Sequence, residues 1–60
     1  MIAIRKNPNF SNWFQVFAFG KMVDEFSRRA KAVSFAQGIA RNTSQTHIVV
    51  EGEAVETKRN

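Results

Sequence analysis

The stretch that decides the fold is WFQVFAF, which covers residues 13–19. Side chains of a β-strand point alternately to its two faces, and here both faces are largely apolar. One face carries Phe14, Val16 and Ala18, and the other carries Trp13, Gln15, Phe17 and Phe19. A half-exposed antiparallel strand is polar on its solvent side, so this pattern predicts a strand with apolar cover on both faces.

Two further strands are predicted beside this one. Residues 2–6 alternate, with Ile2 and Ile4 on one face, which indicates a half-buried strand. Gly20 and Lys21 predict a tight turn with glycine first, as in a type II′ hairpin. Residues 22–26 then return as a third strand. The first half of the chain therefore predicts a three-stranded antiparallel meander.

A helix is predicted from Ser27, as N-cap, to about Asn42, as C-cap. Its inward stripe is rich in alanine, which would let it lie close to a sheet. The stripe consists of Arg29, Ala32, Val33, Ala36, Ile39 and Ala40, with Phe35 at its edge. Gly38, in the middle of the helix, costs about 1 kcal/mol relative to alanine. We expect the helix to cover the sheet face of Phe14, Val16 and Ala18, which has no polar interruption.

A fourth strand is predicted at residues 46–51 and ends at Gly52. A right-handed crossover would return it parallel to strand three, and we place it beside strand one. Residues 53–57 predict a short extension. The sequence therefore predicts one α+β domain at 1–57 and a basic C-terminal tail at 58–60.

Composition limits the possible functions. A chain of 60 residues forms one domain of marginal stability, which an aromatic core or self-association would support. It contains no cysteine and a single histidine, His47, so disulfides and Cys/His zinc sites are excluded. Residues 1–10 lack the apolar run of a signal peptide, and no stretch is long enough to span a membrane. We expect a cytoplasmic protein without membrane contact.

Catalytic residues are not evident in the sequence. No nucleophile elbow, phosphate loop or zinc-protease motif is present. Asp24 and Glu25 are adjacent, so on a strand they point to opposite faces and do not form an acid/base pair. His47 is expected to be a surface or hydrogen-bonded histidine. The expectation is a non-enzymatic protein with no cofactor and no evident small-molecule substrate.

The helix region is strongly basic within a chain of net charge +4. Cations near a helix N-terminus each cost about 0.3–1 kcal/mol, whereas a phosphate group there would be attracted. Arg5 and Lys6 extend this set if strand one ends near the helix start. Alternatively, Asp24 and Glu25 pair with Arg28 or Arg29. The predicted nucleic-acid-binding residues are Arg28, Arg29, Lys31 and Arg41. The basic residues Lys58 and Arg59 form either a mobile basic tail or a solubilising terminus.

Three large rings, Trp13, Phe17 and Phe19, lie on the sheet face that the helix is expected to leave open. An apolar patch of this kind needs an explanation in a small soluble domain. A second subunit covers it, which makes the chain a homodimer, or the segment around Val55 folds over it. The third explanation is that the rings stack on DNA or RNA bases.

The order of these elements carries a family resemblance. The chain has an aromatic-x-aliphatic strand at Phe14-Gln15-Val16 and a glycine hairpin at Gly20-Lys21. An alanine-rich helix at residues 32–40 follows the cap Ser27, and an aliphatic strand runs from Ile48 to Gly52. This combination, over residues 13–52, resembles a family of small bacterial β-β-β-α-β domains of unknown function. The resemblance implies an uncharacterised cytosolic protein, often a homodimer.

The first part of the chain is also similar to the arm-type DNA-binding domain of tyrosine recombinases, which reads DNA with a three-stranded sheet. The chain differs from that domain in its acidic pair, Asp24 and Glu25, on strand three and in its fourth strand. Two functions stay open. One is a nucleic-acid-binding or regulatory accessory that uses the basic helix start, and the other is a homodimeric protein-interaction module that uses the aromatic face.

Overall fold

Five strands and one helix are formed by residues 1–57, the part of the chain that the computed structural model describes. The strands are β1 (Ile2–Lys6), β2 (Phe14–Ala18), β3 (Lys21–Phe26), β4 (His47–Val50) and β5 (Glu53–Glu56), and the helix is α1 (Arg29–Asn42). The predicted α+β class is confirmed. The extension predicted after Gly52 is a fifth strand, and the predicted tail at 58–60 lies outside the described residues.

The strands form one mixed sheet in the order β3-β2-β1-β4-β5. Antiparallel pairing of β1 with β2 and of β2 with β3 gives the predicted meander. β4 lies beside β1 and runs parallel to it, with Ala3 opposite Val49 and Ile4 opposite Val50. The predicted position of the fourth strand is therefore confirmed, and β1 is the middle strand of the sheet.

The core lies between α1 and one face of this sheet. Alanines at 32, 36 and 40 are fully buried, and their small side chains let the helix backbone approach the strands. The sheet contributes Ile2, Ile4, Val16, Ala18, Ile48 and Val50 to the core, and Phe14 packs against it. The helix therefore covers the predicted face of β2.

The stripe of α1 differs from the prediction at two positions. Arg29 is exposed, because it lies in the first turn and reaches sideways to Glu51. Gln37 is buried, and its Nε2 donates a hydrogen bond of 3.3 Å to the Glu56 carbonyl oxygen at the end of β5. The alanine pattern did not indicate this polar contact between the helix and the sheet edge.

Both tight hairpins have two successive residues in the left-handed region. Phe19 has φ 53° and Gly20 has φ 86°, and Glu51 and Gly52 repeat the pattern with φ 50° and 88°. Two positive φ values define a type I′ turn, so the type II′ turn predicted at Gly20-Lys21 is wrong. The turn lies one residue earlier because β3 begins at Lys21, which pairs with Ala18.

The helix begins one residue later than predicted. Arg28 is the N-cap, with φ −123° and ψ 130°, and no side chain forms a hydrogen bond there, so Ser27 is not the cap. The ring of Phe26 still packs on Phe35 of the helix, with centroids 5.3 Å apart. The chain therefore uses Ser27 and Arg28 to pass from the sheet to the helix layer.

The helix ends in a Schellman arrangement, and its C-cap is Thr43 rather than the predicted Asn42. Ser44 follows in the left-handed region with φ 59°. The Gln45 N–H donates to the Ala40 carbonyl oxygen at 2.9 Å, which is the long hydrogen bond of that motif. A left-handed residue, usually glycine, is therefore what stops the helix.

Candidate functional site

Basic side chains come together where the end of β1 meets the start of α1. Glu51, in the turn after β4, links the two elements: its Oε1 lies 3.8 Å from Lys6 Nζ and its Oε2 lies 3.2 Å from Arg29 Nε. Strand one therefore does end near the helix start, and Lys6 joins the predicted group. We call Lys6, Arg28, Arg29 and Lys31 the basic cluster; all four residues are exposed.

The predicted ion pairs from strand three are not formed. Asp24 Oδ1 accepts a hydrogen bond from the Glu25 backbone N–H at 2.7 Å, and Glu25 Oε2 accepts one from Asn7 Nδ2 at 2.6 Å. Glu25 lies opposite Gln15 on the face away from the helix, which separates it from Arg28 and Arg29. The counterion in the basic cluster is Glu51, which the sequence analysis did not select because its position depends on the β1–β4 pairing.

Arg41 lies apart from the basic cluster. It is in the last turn of α1, twelve residues after Arg29, which is about 18 Å along the axis at 1.5 Å per residue. A cation at a helix C-terminus is favoured by the macrodipole. Arg28, Arg29 and Lys31 of the predicted group are neighbours in sequence at the helix start, whereas Arg41 lies in the last turn of the same helix.

The amino end of α1 is electrostatically unusual. Its first turn contains no acidic residue, and its N-cap, Arg28, forms no side-chain hydrogen bond. The first N–H groups of a helix have no partner within the helix and normally receive a capping oxygen. The positive end of the helix dipole and the exposed cations of the basic cluster therefore both favour an anion at this position.

On the other side of the sheet, no helix covers the strands among residues 1–57; we call this side the open face. An apolar row crosses all five strands on it through successive cross-strand partners. The row is Met22, Phe17, Ala3, Val49 and Ala54, in the order of the strands. Its large side chains are at the β3 end and its small ones at the β5 end.

The three predicted interface rings all lie outside the helix-covered core. Trp13 and Phe19 are 39% and 57% exposed, and Phe17 is half-buried, with the Arg5 guanidinium carbon 4.4 Å from its ring centroid. The prediction that the segment around Val55 folds over them is wrong. β5 pairs with β4 at the opposite edge of the sheet, and Val55 packs against the core on the helix side.

The open face is close to neutral. Its register positions carry one cation, Arg5, and the carboxylates Glu25 and Glu56. His47 is exposed there beside Glu56, and its Nδ1 lies 3.0 Å from Thr46 Oγ1, so the expected surface histidine is confirmed. The open face therefore carries aromatic surface and little net charge, whereas helix α1 contains three cations and no acidic residue.

Comparisons with protein-family models, with curated proteins and with solved structures gave no match. The resemblance to small bacterial domains and to recombinase arm-binding domains stays a prediction. Within residues 1–57, no helix has the length and apolar character needed to cross a membrane, and no three potential metal ligands come together.

Proposed function

We propose that this chain is a non-enzymatic protein that binds nucleic acid through the phosphate backbone, using the helix side of the domain. The observation that carries the proposal is the concentration of positive charge along the helix. Helix α1 contains Arg29, Lys31 and Arg41 and no acidic residue, and Lys6 and Arg28 flank its start. Lysines and arginines clustered along a helix are the electrostatic footprint expected of a nucleic-acid-binding domain.

The chemistry of the helix start supports phosphate as the ligand. Arginine guanidinium groups donate paired hydrogen bonds to phosphate oxygens, and the uncapped start of the helix adds backbone N–H donors. Glu51 offsets one positive charge, and Arg28 and Lys31 have no ion-pair partner among residues 1–57. A cluster that is repulsive by itself is stabilised when a polyanion supplies the missing negative charge.

The test is a comparison of two matched substitutions. Binding of fluorescently labelled duplex DNA, single-stranded DNA and RNA is measured by anisotropy at several salt concentrations for the wild type, Arg28→Gln and Arg5→Gln. Both variants lose one positive charge, but Arg28 belongs to the basic cluster and Arg5 to the open face. We expect Arg28→Gln to weaken binding and to reduce the salt slope by about 1, with Arg5→Gln close to wild type.

Two results would refute the proposal. One is no binding of any of the three nucleic acids at low salt. The other is an equal loss from Arg5→Gln and Arg28→Gln, which would mean that net charge rather than the helix side determines binding.

A second function, a homodimeric interaction module, is supported by the apolar row. In a face-to-face dimer with its two-fold axis parallel to the strands and between β1 and β2, large side chains oppose small ones. Phe17 then faces Ala3 of the other copy and Met22 faces Val49, while Arg5 faces the Gln15 amide. Because the open face is nearly neutral, two copies associate through it without the repulsion that their net charge of +4 produces elsewhere.

Sedimentation equilibrium tests the dimer with two neighbouring residues of similar exposure. Met22 belongs to the row and is 52% exposed, whereas Val23 occupies the irregularity in β3 and is 46% exposed. We expect Met22→Lys to give a monomer and Val23→Lys to leave the dimer intact, because only the first buries a charge. Phe17→Asp is expected to give a monomer or an unfolded chain. A monomeric wild type, or a Met22→Lys variant that still dimerises, contradicts this function.

A further inference from the structure

A pocket of about 290 Å³ lies where the β1–β2 loop meets the end of β3. Its walls are Asn7, Phe10, Trp13 and Glu25. Two aromatic rings and one carboxylate therefore line one concave site. The basic cluster contributes no residue to it.

Backbone hydrogen bonds hold the loop wall of the pocket in place. The Asn7 N–H donates to the Trp13 carbonyl oxygen and the Trp13 N–H to the Phe10 carbonyl oxygen, both at 2.9 Å. Asn7 Oδ1 also accepts from the N–H groups of Asn9 at 2.8 Å and Phe10 at 3.2 Å. The loop that carries both rings is thus closed on itself, and its backbone is fixed beside Glu25.

Glu25 gives the pocket its charge. The residue is half-buried, and its Oε2 accepts a hydrogen bond of 2.6 Å from Asn7 Nδ2. No Lys, Arg or His nitrogen among residues 1–57 lies within 4.0 Å of its carboxylate, although the chain contains nine lysines and arginines. Within residues 1–57, this carboxylate is positioned by a neutral amide beside two rings and has no cationic side chain paired with it.

We propose that this pocket binds an organic ammonium group. Aromatic rings attract a cation through their quadrupoles, and Trp13 and Phe10 line the pocket beside the Glu25 carboxylate, which supplies the opposite charge. The volume is just below the ~300 Å³ at which pockets for drug-sized ligands begin, so it suits one head group rather than a large ligand. A small organic ammonium ion and a trimethylated lysine side chain on another protein both present this chemistry.

Trp13 is the only tryptophan in the chain, so its fluorescence reports directly on the pocket. Tetramethylammonium chloride and a peptide containing trimethyllysine are titrated at constant ionic strength, with sodium chloride and the neutral compound tert-butanol as controls. We expect a saturable change with the ammonium compounds alone. Binding of both indicates that the head group suffices, whereas binding of the peptide alone identifies a trimethylated lysine side chain on a polypeptide as the source.

Variants then test the assigned contacts. Glu25→Gln keeps an acceptor for Asn7 but removes the charge, and we expect at least about tenfold weaker binding. Phe10→Ala removes a ring that is 62% exposed and should weaken binding without unfolding the domain; Phe19→Ala, 57% exposed and outside the pocket, is its control. Equal affinity for tert-butanol, unchanged binding by Glu25→Gln, or no saturable signal from either cation would overturn the proposal.

Discussion

Arg29 of the first helical turn and Glu51 of the β4–β5 turn form an ion pair, with Nε and Oε2 3.2 Å apart. Their side chains are 56% and 34% exposed. Exposed pairs contribute about 0–1 kcal/mol to stability, because water screens the attraction and ordering two side chains costs entropy. The main effect of Glu51 is therefore on the electrostatic potential at the helix start.

Removing the Glu51 carboxylate should change nucleic-acid affinity while leaving stability nearly unchanged. We expect Glu51→Gln to change the free energy of unfolding by no more than about 1 kcal/mol while increasing affinity for nucleic acid, because the basic cluster loses its counterion. Urea denaturation and anisotropy measure the two quantities. Unchanged or lower affinity with an intact fold would argue against phosphate contact at this cluster.

Arg28→Ser should have opposite effects on stability and binding. Serine at the N-cap position accepts a hydrogen bond from the helix backbone, which is worth about 0.5–2 kcal/mol, and the cation next to the positive helix end is lost. We expect a higher melting temperature together with weaker nucleic-acid binding and a smaller salt slope. A variant that gains both stability and affinity would show that Arg28 does not contact the ligand.

The same substitution at two serines should change stability in opposite directions. Ser44 is in the left-handed region after α1, where glycine is favoured, so Ser44→Gly is expected to stabilise the domain by about 0.5–1 kcal/mol. Ser34 is exposed within the helix, and Ser34→Gly should destabilise it by about 0.5 kcal/mol. Thermal unfolding followed by circular dichroism checks both, and equal signs would contradict the assigned helix end.

Alanine substitutions at two glycines should also change stability in opposite directions. A Cβ at Gly38 would meet only Arg41 Nη2 at 4.0 Å, so Gly38→Ala should stabilise the helix by about 1 kcal/mol. A Cβ at Gly52 would meet nothing within 4 Å, but its φ of 88° is unfavourable for alanine, and Gly52→Ala should cost about 1–2 kcal/mol. Denaturant midpoints measure the difference. A tolerated Gly52→Ala would mean that the β4–β5 turn is not type I′.

The strands that the sequence predicted correctly are those with clear alternation. Ile2 and Ile4 point to the core next to Val16, which is why β1 and β2 were identified from period alone. β5, with the sequence EAVE, has low strand propensity and becomes a full strand through pairing with β4. Gln37 is buried because that extra strand supplies its acceptor.

The candidate sites were harder to predict from the sequence than the strands, because residues far apart in sequence form them. The basic residues around Arg28 were evident from composition, but their counterion, Glu51, is 22 positions from Arg29 and reaches it through strand pairing. The pocket beside Glu25 was missed for the same reason, since Asn7 contacts it across 18 positions of sequence. Only a loop closed by its own hydrogen bonds brings Phe10 and Trp13 to that carboxylate.

The central place of β1 in the sheet has a kinetic consequence. Ala3 pairs with Val49, which is far away in sequence, so β1 completes its pairing only after most of the chain has come together. The segment between the two residues loses conformational entropy before this contact can form. Domains dominated by such non-local pairing fold in about milliseconds to seconds, whereas small helical bundles of similar size fold in about microseconds to milliseconds. Stopped-flow refolding of this protein should therefore show a rate nearer to that of a β-barrel than to that of a helical bundle.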